Sequence, residues 1–173
     1  MSRFNSTFSF YKFLNILEFF FLKFNMTSSS NPIYKTGCIF CKILKGELPA
    51  NFLKTSNPSL KILHDIKPAS KIHLLAIPTT HINLAQDLPS NDKKLYLKEL
   101  RSALGTLEHE NEINEDEIFY GYHIGKWTSV KHAHIHLIYP RSEMNFLNRL
   151  IFRDGTWWCK ELKMNYFSDS ICD

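Results

Sequence analysis

Apolar and polar positions change their period several times along the chain, and each change marks an element. Residues 51–55 (NFLKT) and 59–65 (SLKILHD) read as strands on either side of an Asn57-Pro58 turn. Residues 71–78 (KIHLLAIP) are an apolar strand that Pro78 ends. Between 90 and 110 the period lengthens. Leu97, Leu100, Leu104 and Leu107 recur at intervals of 3, 4 and 3, one face of an amphipathic helix, and Ser90 after Pro89 is placed to cap it. Residues 118–125 (IFYGYHIG) and 132–140 (HAHIHLIYP) predict two more strands, the second ended by Pro140. Ile39, Phe40, Ile43 and Leu44 have helix-like spacing before Gly46 and Pro49. Phe146, Leu147, Leu150 and Ile151 predict another short helix, followed by a Trp-Trp pair. The acidic run 111–117 (NEINEDE) reads as a solvated loop. Turns rather than repeated βα units join the strands. The expected fold is therefore α+β: an antiparallel sheet of about five strands with one long helix and short terminal helices, the helices on one face.

The length, 173 residues with 44% hydrophobic content, fits one domain with its own core. The polar run TSSSNP (27–32) separates an N-terminal extension and linker, 1–35, from a domain over 36–162, with a tail over 163–173. A net charge of +4 without a long Lys/Arg run gives no footprint for nucleic-acid binding. Four cysteines in a chain this long do not make a disulfide scaffold, so a reducing compartment, cytoplasm or nucleus, is expected. Cys38-x-x-Cys41 then reads as a metal or redox pair. Residues 1–25 are rich in Phe and admit three readings. They could be a mitochondrial or secretory targeting segment, a membrane-associating amphipathic helix, or a stretch upstream of a start at Met26. The run is shorter than a membrane span and is interrupted by Asn15 and Glu18.

The segment KHAHIHLIYP (131–140) carries the chemistry. On a strand, His132, His134 and His136 share one face over roughly 13 Å, and Ala133, Ile135 and Leu137 turn to the other. The apolar spacers fix the register of the row. Alternation is common in half-buried strands, so the pattern alone leaves two functions open. One is a set of metal ligands to which Cys38 and Cys41 could add thiolates. The other is a nucleophile whose tautomer is set by its neighbours.

The flanks decide between them. HAHIHLI (132–138) matches the His-φ-His-φ-His-φ-φ signature, with φ apolar, of the histidine-triad superfamily. CIFCKILKGELPA (38–50) and LHDIKPASKIHLLAIPTTHI (63–82) resemble its HINT branch of nucleoside phosphoramidases. FLNRLIFRDGTWWCKEL (146–162) resembles the third animal member of that branch.

The resemblance spans roughly 36–162 and implies a hydrolase of purine nucleoside 5′-phosphoramidates, of the AMP-lysine type, or of acyl-adenylates. The chemistry itself would require no cofactor. His134 would form a nucleotidyl-histidine intermediate, His136 would donate to a phosphate oxygen, and His132 and His73 would support the network. Ser129 would bind the phosphate or the leaving amine. Asp65 would hold the ribose hydroxyls. Phe40, Ile43, Leu48, Leu63, His64 and Ile66 would wall the base. The resemblance also implies a homodimer and a structural zinc held by Cys38, Cys41, His81 and His132. The segment GYHIGKWTSVKH (121–132) lacks the Asn and the Gly-Gln pair of the best-known branch members; its His123 instead resembles the third animal member, and Lys126, Trp127 and Lys131 are unusual there. The alternatives are a dinucleoside polyphosphate hydrolase, an aprataxin-like deadenylase, and a nucleotide-binding scaffold with weak activity.

Overall fold

The computed structural model describes residues 32–109 and 112–164. The expectations for residues 1–31, and for most of the tail from 163 to 173, fall outside them. The elements run α1 (Ile39–Leu44), β1 (Phe52–Leu53), β2 (Leu60–His64), β3 (Ile72–Pro78), α2 (Ser90–Leu107), β4 (Phe119–His123), β5 (Ile135–Tyr139), α3 (Phe146–Ile151) and β6 (Cys159–Glu161). The strands form one six-stranded sheet in the order β1-β2-β3-β5-β4-β6, with every neighbouring pair antiparallel. The α+β class expected from the sequence is what forms. The extra strand is β6, three residues long at the sheet edge, and CKE carries no apolar alternation to announce it.

One face of the sheet packs on α2. Leu97, Leu100 and Leu104 are fully buried against Leu60, Ile62, Leu74, Ala76, Ile135 and Leu137. Leu107, the last of the expected stripe, is 39% exposed at the helix end. Ser90 is the first helical residue and makes no capping bond; Pro89 takes the cap position. The other face is covered by the two short helices, against the expectation that all helices share one side. On that face Leu63, Leu75 and Ile77 pack with Phe40 and Cys41 of α1, and Ile138 and Phe119 pack with Met144 and Phe152 next to α3. Without α1 and α3 those apolar residues would face water beside the histidines.

The β5 ladder begins at Ile135 rather than at His132. Register supplies the reason. Ala76 pairs with Ile135, so the next inward partners would be Pro78 and Ala133, and proline has no N–H to give. The Ala133 N–H instead reaches the Ile82 carbonyl at 2.6 Å. Replacing Leu100 with Ala empties the α2–sheet contact. We expect it to remove about 3 kcal/mol of unfolding free energy, read from urea melts, within the range for buried leucines.

Candidate active site

Pairing of β3 with β5 places His73 opposite Ile138 and Leu75 opposite His136, so both histidines lie on the face away from α2. Gly121 on β4 faces His136 from the other side. A Cβ at Gly121 would come within 2.7 Å of the Lys160 carbonyl oxygen, so the close approach of β6 requires glycine there. His134 sits just before the ladder, its ring 5.0 Å from that of His136 and 5.4 Å from Phe40. All three triad histidines, and His73, are buried.

The hydrogen-bond partners assign the tautomers. The Ala69 N–H donates to His73 Nδ1 at 3.1 Å, so the neutral His73 ring carries its proton on Nε2. That nitrogen lies 2.8 Å from His136 Nδ1 and donates to it. His136 therefore keeps its own proton on Nε2, a buried donor with no hydrogen-bond partner among the described residues. His134 Nδ1 lies 2.7 Å from the His132 carbonyl oxygen and donates to it, which leaves the lone pair on Nε2. Burial lowers the pKa of every member: His73 to about 4, His132 to about 4, and His134 and His136 below the ordinary value. For His73 the Asp65 carboxylate, 3.7 Å from Nε2, opposes that effect without overcoming it. At neutral pH the site thus presents one unprotonated nitrogen and one free N–H.

A second set lies behind the row. Cys38 Sγ and Cys41 Sγ are each 3.5 Å from His132 Nδ1, and Cys41 Sγ and His132 Nδ1 are 3.3 and 3.2 Å from His81 Nδ1. His132 Nε2 donates to the Pro78 carbonyl at 3.0 Å, and His81 Nε2 lies 3.2 Å from Asn83 Oδ1. Both Nδ1 lone pairs therefore converge on the thiols. A tetrahedral zinc with ordinary bond lengths separates its nitrogens by ~3.3 Å and a nitrogen from a sulfur by ~3.6 Å. The spacing here fits, and the outer nitrogens are anchored as metal-binding histidines require. Burial pushes the Cys41 thiol up, against the Lys35 N–H that donates to its Sγ, so a cation would have to displace a proton. Asp65, His73 and His136 also lie close together. There the 2.8 Å between the imidazole nitrogens is that of a shared proton, shorter than ligands on one tetrahedral ion.

A cavity of about 640 Å³ opens at the His136 end of the row, and neither His134 nor His132 lines it. His73, His136, Asp65 and Ser129 line it, with Lys67, His123, Trp127, Phe152 and Trp157. The Lys67 N–H donates to Asp65 Oδ1 at 2.8 Å and orients that carboxylate. The residues expected to wall the base do not line this cavity. Phe40 and Leu63 are buried beside the Cys38–Cys41 pair and Ile43 packs against them. Leu48, His64 and Ile66 are exposed, Ile66 to 88%. Sequence reasoning missed Phe152, whose ring stands 5.5, 5.2 and 5.0 Å from His73, His136 and His123. No period or motif singles it out, because it follows α3 in a turn.

A sheet strand that carries His136, with His134 and His132 on the segment leading into it and His73 as a fourth histidine beside it, defines a class. The family described as "Scavenger mRNA decapping enzyme C-term binding" matches residues 37–151, and the chain belongs to the histidine-triad hydrolases. Its relatives include the adenosine 5′-monophosphoramidase HINT3 of Mus musculus, 30% identical over 72% of this chain and 76% of that protein. The protein of the same name from Xenopus tropicalis is 30% identical over 76% of this chain and 86% of its own. Among solved structures, one from Streptococcus mutans UA159 is 25% identical, covers 65% of this chain and 71% of that one, and superposes with a TM-score of 0.51. A HIT family hydrolase from Clostridium thermocellum is 27% identical over 60% of this chain and 90% of its own, with a TM-score of 0.47.

The buried neutral imidazoles make stability depend on pH. An unfolded His73 binds a proton near pH 6.5, whereas the folded one does so only near 4. Stability is therefore complete above pH 6.5 and falls as pH drops toward 4, by about 3 kcal/mol for this group alone. Urea midpoints measured from pH 7 to 4.5 should fall, and His73→Gln should flatten the slope.

Proposed function

We propose that the protein hydrolyses purine nucleoside 5′-phosphoramidates, of the AMP-lysine type, or acyl-adenylates, through a nucleotidyl-histidine intermediate that releases the nucleoside monophosphate. The observation that carries this reading is the proton pattern: a lone pair on His134 Nε2 beside an N–H on His136 Nε2 that has no partner among the described residues. His134 Nε2 attacks phosphorus while Nδ1–H stays on the His132 carbonyl, which supports the positive charge that the ring gains. His136 Nε2–H meets the phosphate oxygen on which charge develops, and burial strengthens that bond. The His73 to His136 bond keeps this proton on the side of the substrate. Ser129, at the cavity mouth, contacts the phosphate or the leaving group, and Asp65 accepts from the ribose hydroxyls. Phe40, Ile43, Leu48, Leu63, His64 and Ile66 form the side of the base; the exposure of Leu48 and Ile66 leaves apolar surface for it.

Cys38, Cys41, His81 and His132 hold a structural zinc in this proposal, with no part in bond making. The assembly is a homodimer, without a nucleic-acid partner, on the strength of the family resemblance. No helix among the described residues is long and apolar enough to cross a membrane. The reduced thiols that the zinc set needs suit the cytoplasm or nucleus.

His134→Ala should lower turnover of AMP-lysine by more than about a thousandfold, and quenched wild-type reactions should yield an AMP adduct on His134 by mass spectrometry. Turnover that survives the substitution would sink the assignment. Tight AMP binding with no turnover of any phosphoramidate, acyl-adenylate or dinucleoside polyphosphate would favour the scaffold reading instead. Protein grown with zinc should carry one ion per chain by elemental analysis. Cys41→Ser should lose it and melt several degrees lower, while brief chelation at low temperature leaves the chemical step little changed.

A further inference from the structure

His123 ends β4 on the face of the row, two residues beyond Gly121, which pairs with His136. Its ring lies 5.3 Å from that of His136 and 5.0 Å from Phe152, tilted only 39° from the latter. Nδ1 is 3.3 Å from the Trp158 carbonyl oxygen, so it carries the proton of the neutral ring. Thr128 Oγ1 donates to the His123 carbonyl at 2.8 Å and holds the strand end in place. Nε2 takes no hydrogen bond among the described residues, and the residue lines the cavity. Thus a fifth imidazole, clamped on one edge, offers its other nitrogen beside the cavity that His136 also lines. The roles given to His134, His136 and His73 leave it without one.

Strand order says which part of the substrate it meets. The residues that wall the base and hold the ribose belong to α1 and to β2 with its following turn. His123, Trp127, Leu150 and Trp157 belong to β4, α3 and the loops toward β6. The phosphorus, at β5, falls between the two sides. A nucleoside held on the β2 side therefore directs the group leaving phosphorus toward β4 and β6. An amine cannot depart as its anion and must gain a proton as the P–N bond breaks; a carboxylate departs without one.

We propose that His123 Nε2 delivers this proton to the departing amine nitrogen, with Trp127, Trp157 and Leu150 receiving the apolar part of the leaving group. The inference rests on the phosphoramidase reading above. In the first step His134 Nε2 bonds to phosphorus. His123, neutral at rest with a bare Nε2, first takes a proton from solvent there; the P–N electron pair then stays on nitrogen, which takes that Nε2 proton and leaves as neutral amine. In the second step water bonds to phosphorus and gives a proton to His123 Nε2. The pair of the His134 P–N bond returns to His134, and the nucleoside monophosphate leaves. The second step thus restores to His123 Nε2 the proton that it gave up in the first. Burial lowers its pKa, with the Trp158 carbonyl opposing, and a more acidic imidazolium is the better proton donor.

The test compares kcat/KM for an alkylamine AMP phosphoramidate and an acyl-adenylate in wild type and in His123→Gln and His123→Asn, with adduct trapping on His134 in each. The amine-to-acyl ratio should fall about a hundredfold in both variants, the size of a lost general acid. A phosphoramidate of an electron-poor aniline should suffer less than the alkylamine. Equal losses on both substrates, in variants whose melting temperatures match wild type, would overturn the role of His123 alone. If only one variant folds, that one decides. If wild type turns over neither substrate and forms no adduct, the phosphoramidase reading fails and the role of His123 goes with it.

Discussion

The pairing of β3 with β5 is the constraint from which the site follows. Opposite neighbours in an antiparallel pair point to the same face, so one register sets His73 and His136 side by side and turns Leu74, Ile135 and Leu137 onto α2. A slip of one residue would bury the imidazoles under the long helix and expose the leucines. The apolar core and the reactive row are thus two faces of one decision, and the core's much larger burial energy enforces it. The register also ends itself, because Pro78 has no hydrogen to offer where Ala133 would pair.

Burial and hydrogen bonding then act together on the histidines. Desolvation keeps the rings neutral, and a neutral imidazole has one proton to place. The Ala69 amide places it for His73, His73 places it for His136, and the His132 carbonyl places it for His134. Main-chain groups begin or end each of these chains. Of all substitutions only one to proline would remove a backbone N–H, so the protonation pattern is anchored in the fold itself.

Much of this was legible in the sequence. Alternation around 132–138 and the leucine spacing in α2 predicted an antiparallel sheet under one long helix, with the row on the opposite side. The resemblance of separate segments singled out His73, His81 and the cysteine pair, which the fold brings to the two ends of the row. What escaped has physical causes. Strand β6 is an edge of three residues without a pattern. Phe152 reaches the imidazoles from a turn, where no period operates. The positions of the short helices depend on which face needs cover, a property of the closed sheet and not of the helices. The start of β5 depended on a proline 55 residues away from Ala133 in the chain.

His132 is shared by two structures. Its ring faces the Cys38–Cys41 pair, its Nε2–H holds the end of β3, and its carbonyl takes the proton of His134. His134 therefore rides on a segment outside the sheet ladder, fastened by these bonds and by Ala133 to Ile82. Its aim is set by a joint rather than by a beam. A relative could keep the whole sheet unchanged and still lose alignment by changing what the ring of residue 132 rests against. The thiol pair and the histidine row are, for this reason, one inherited unit: drift in either must be answered in the other.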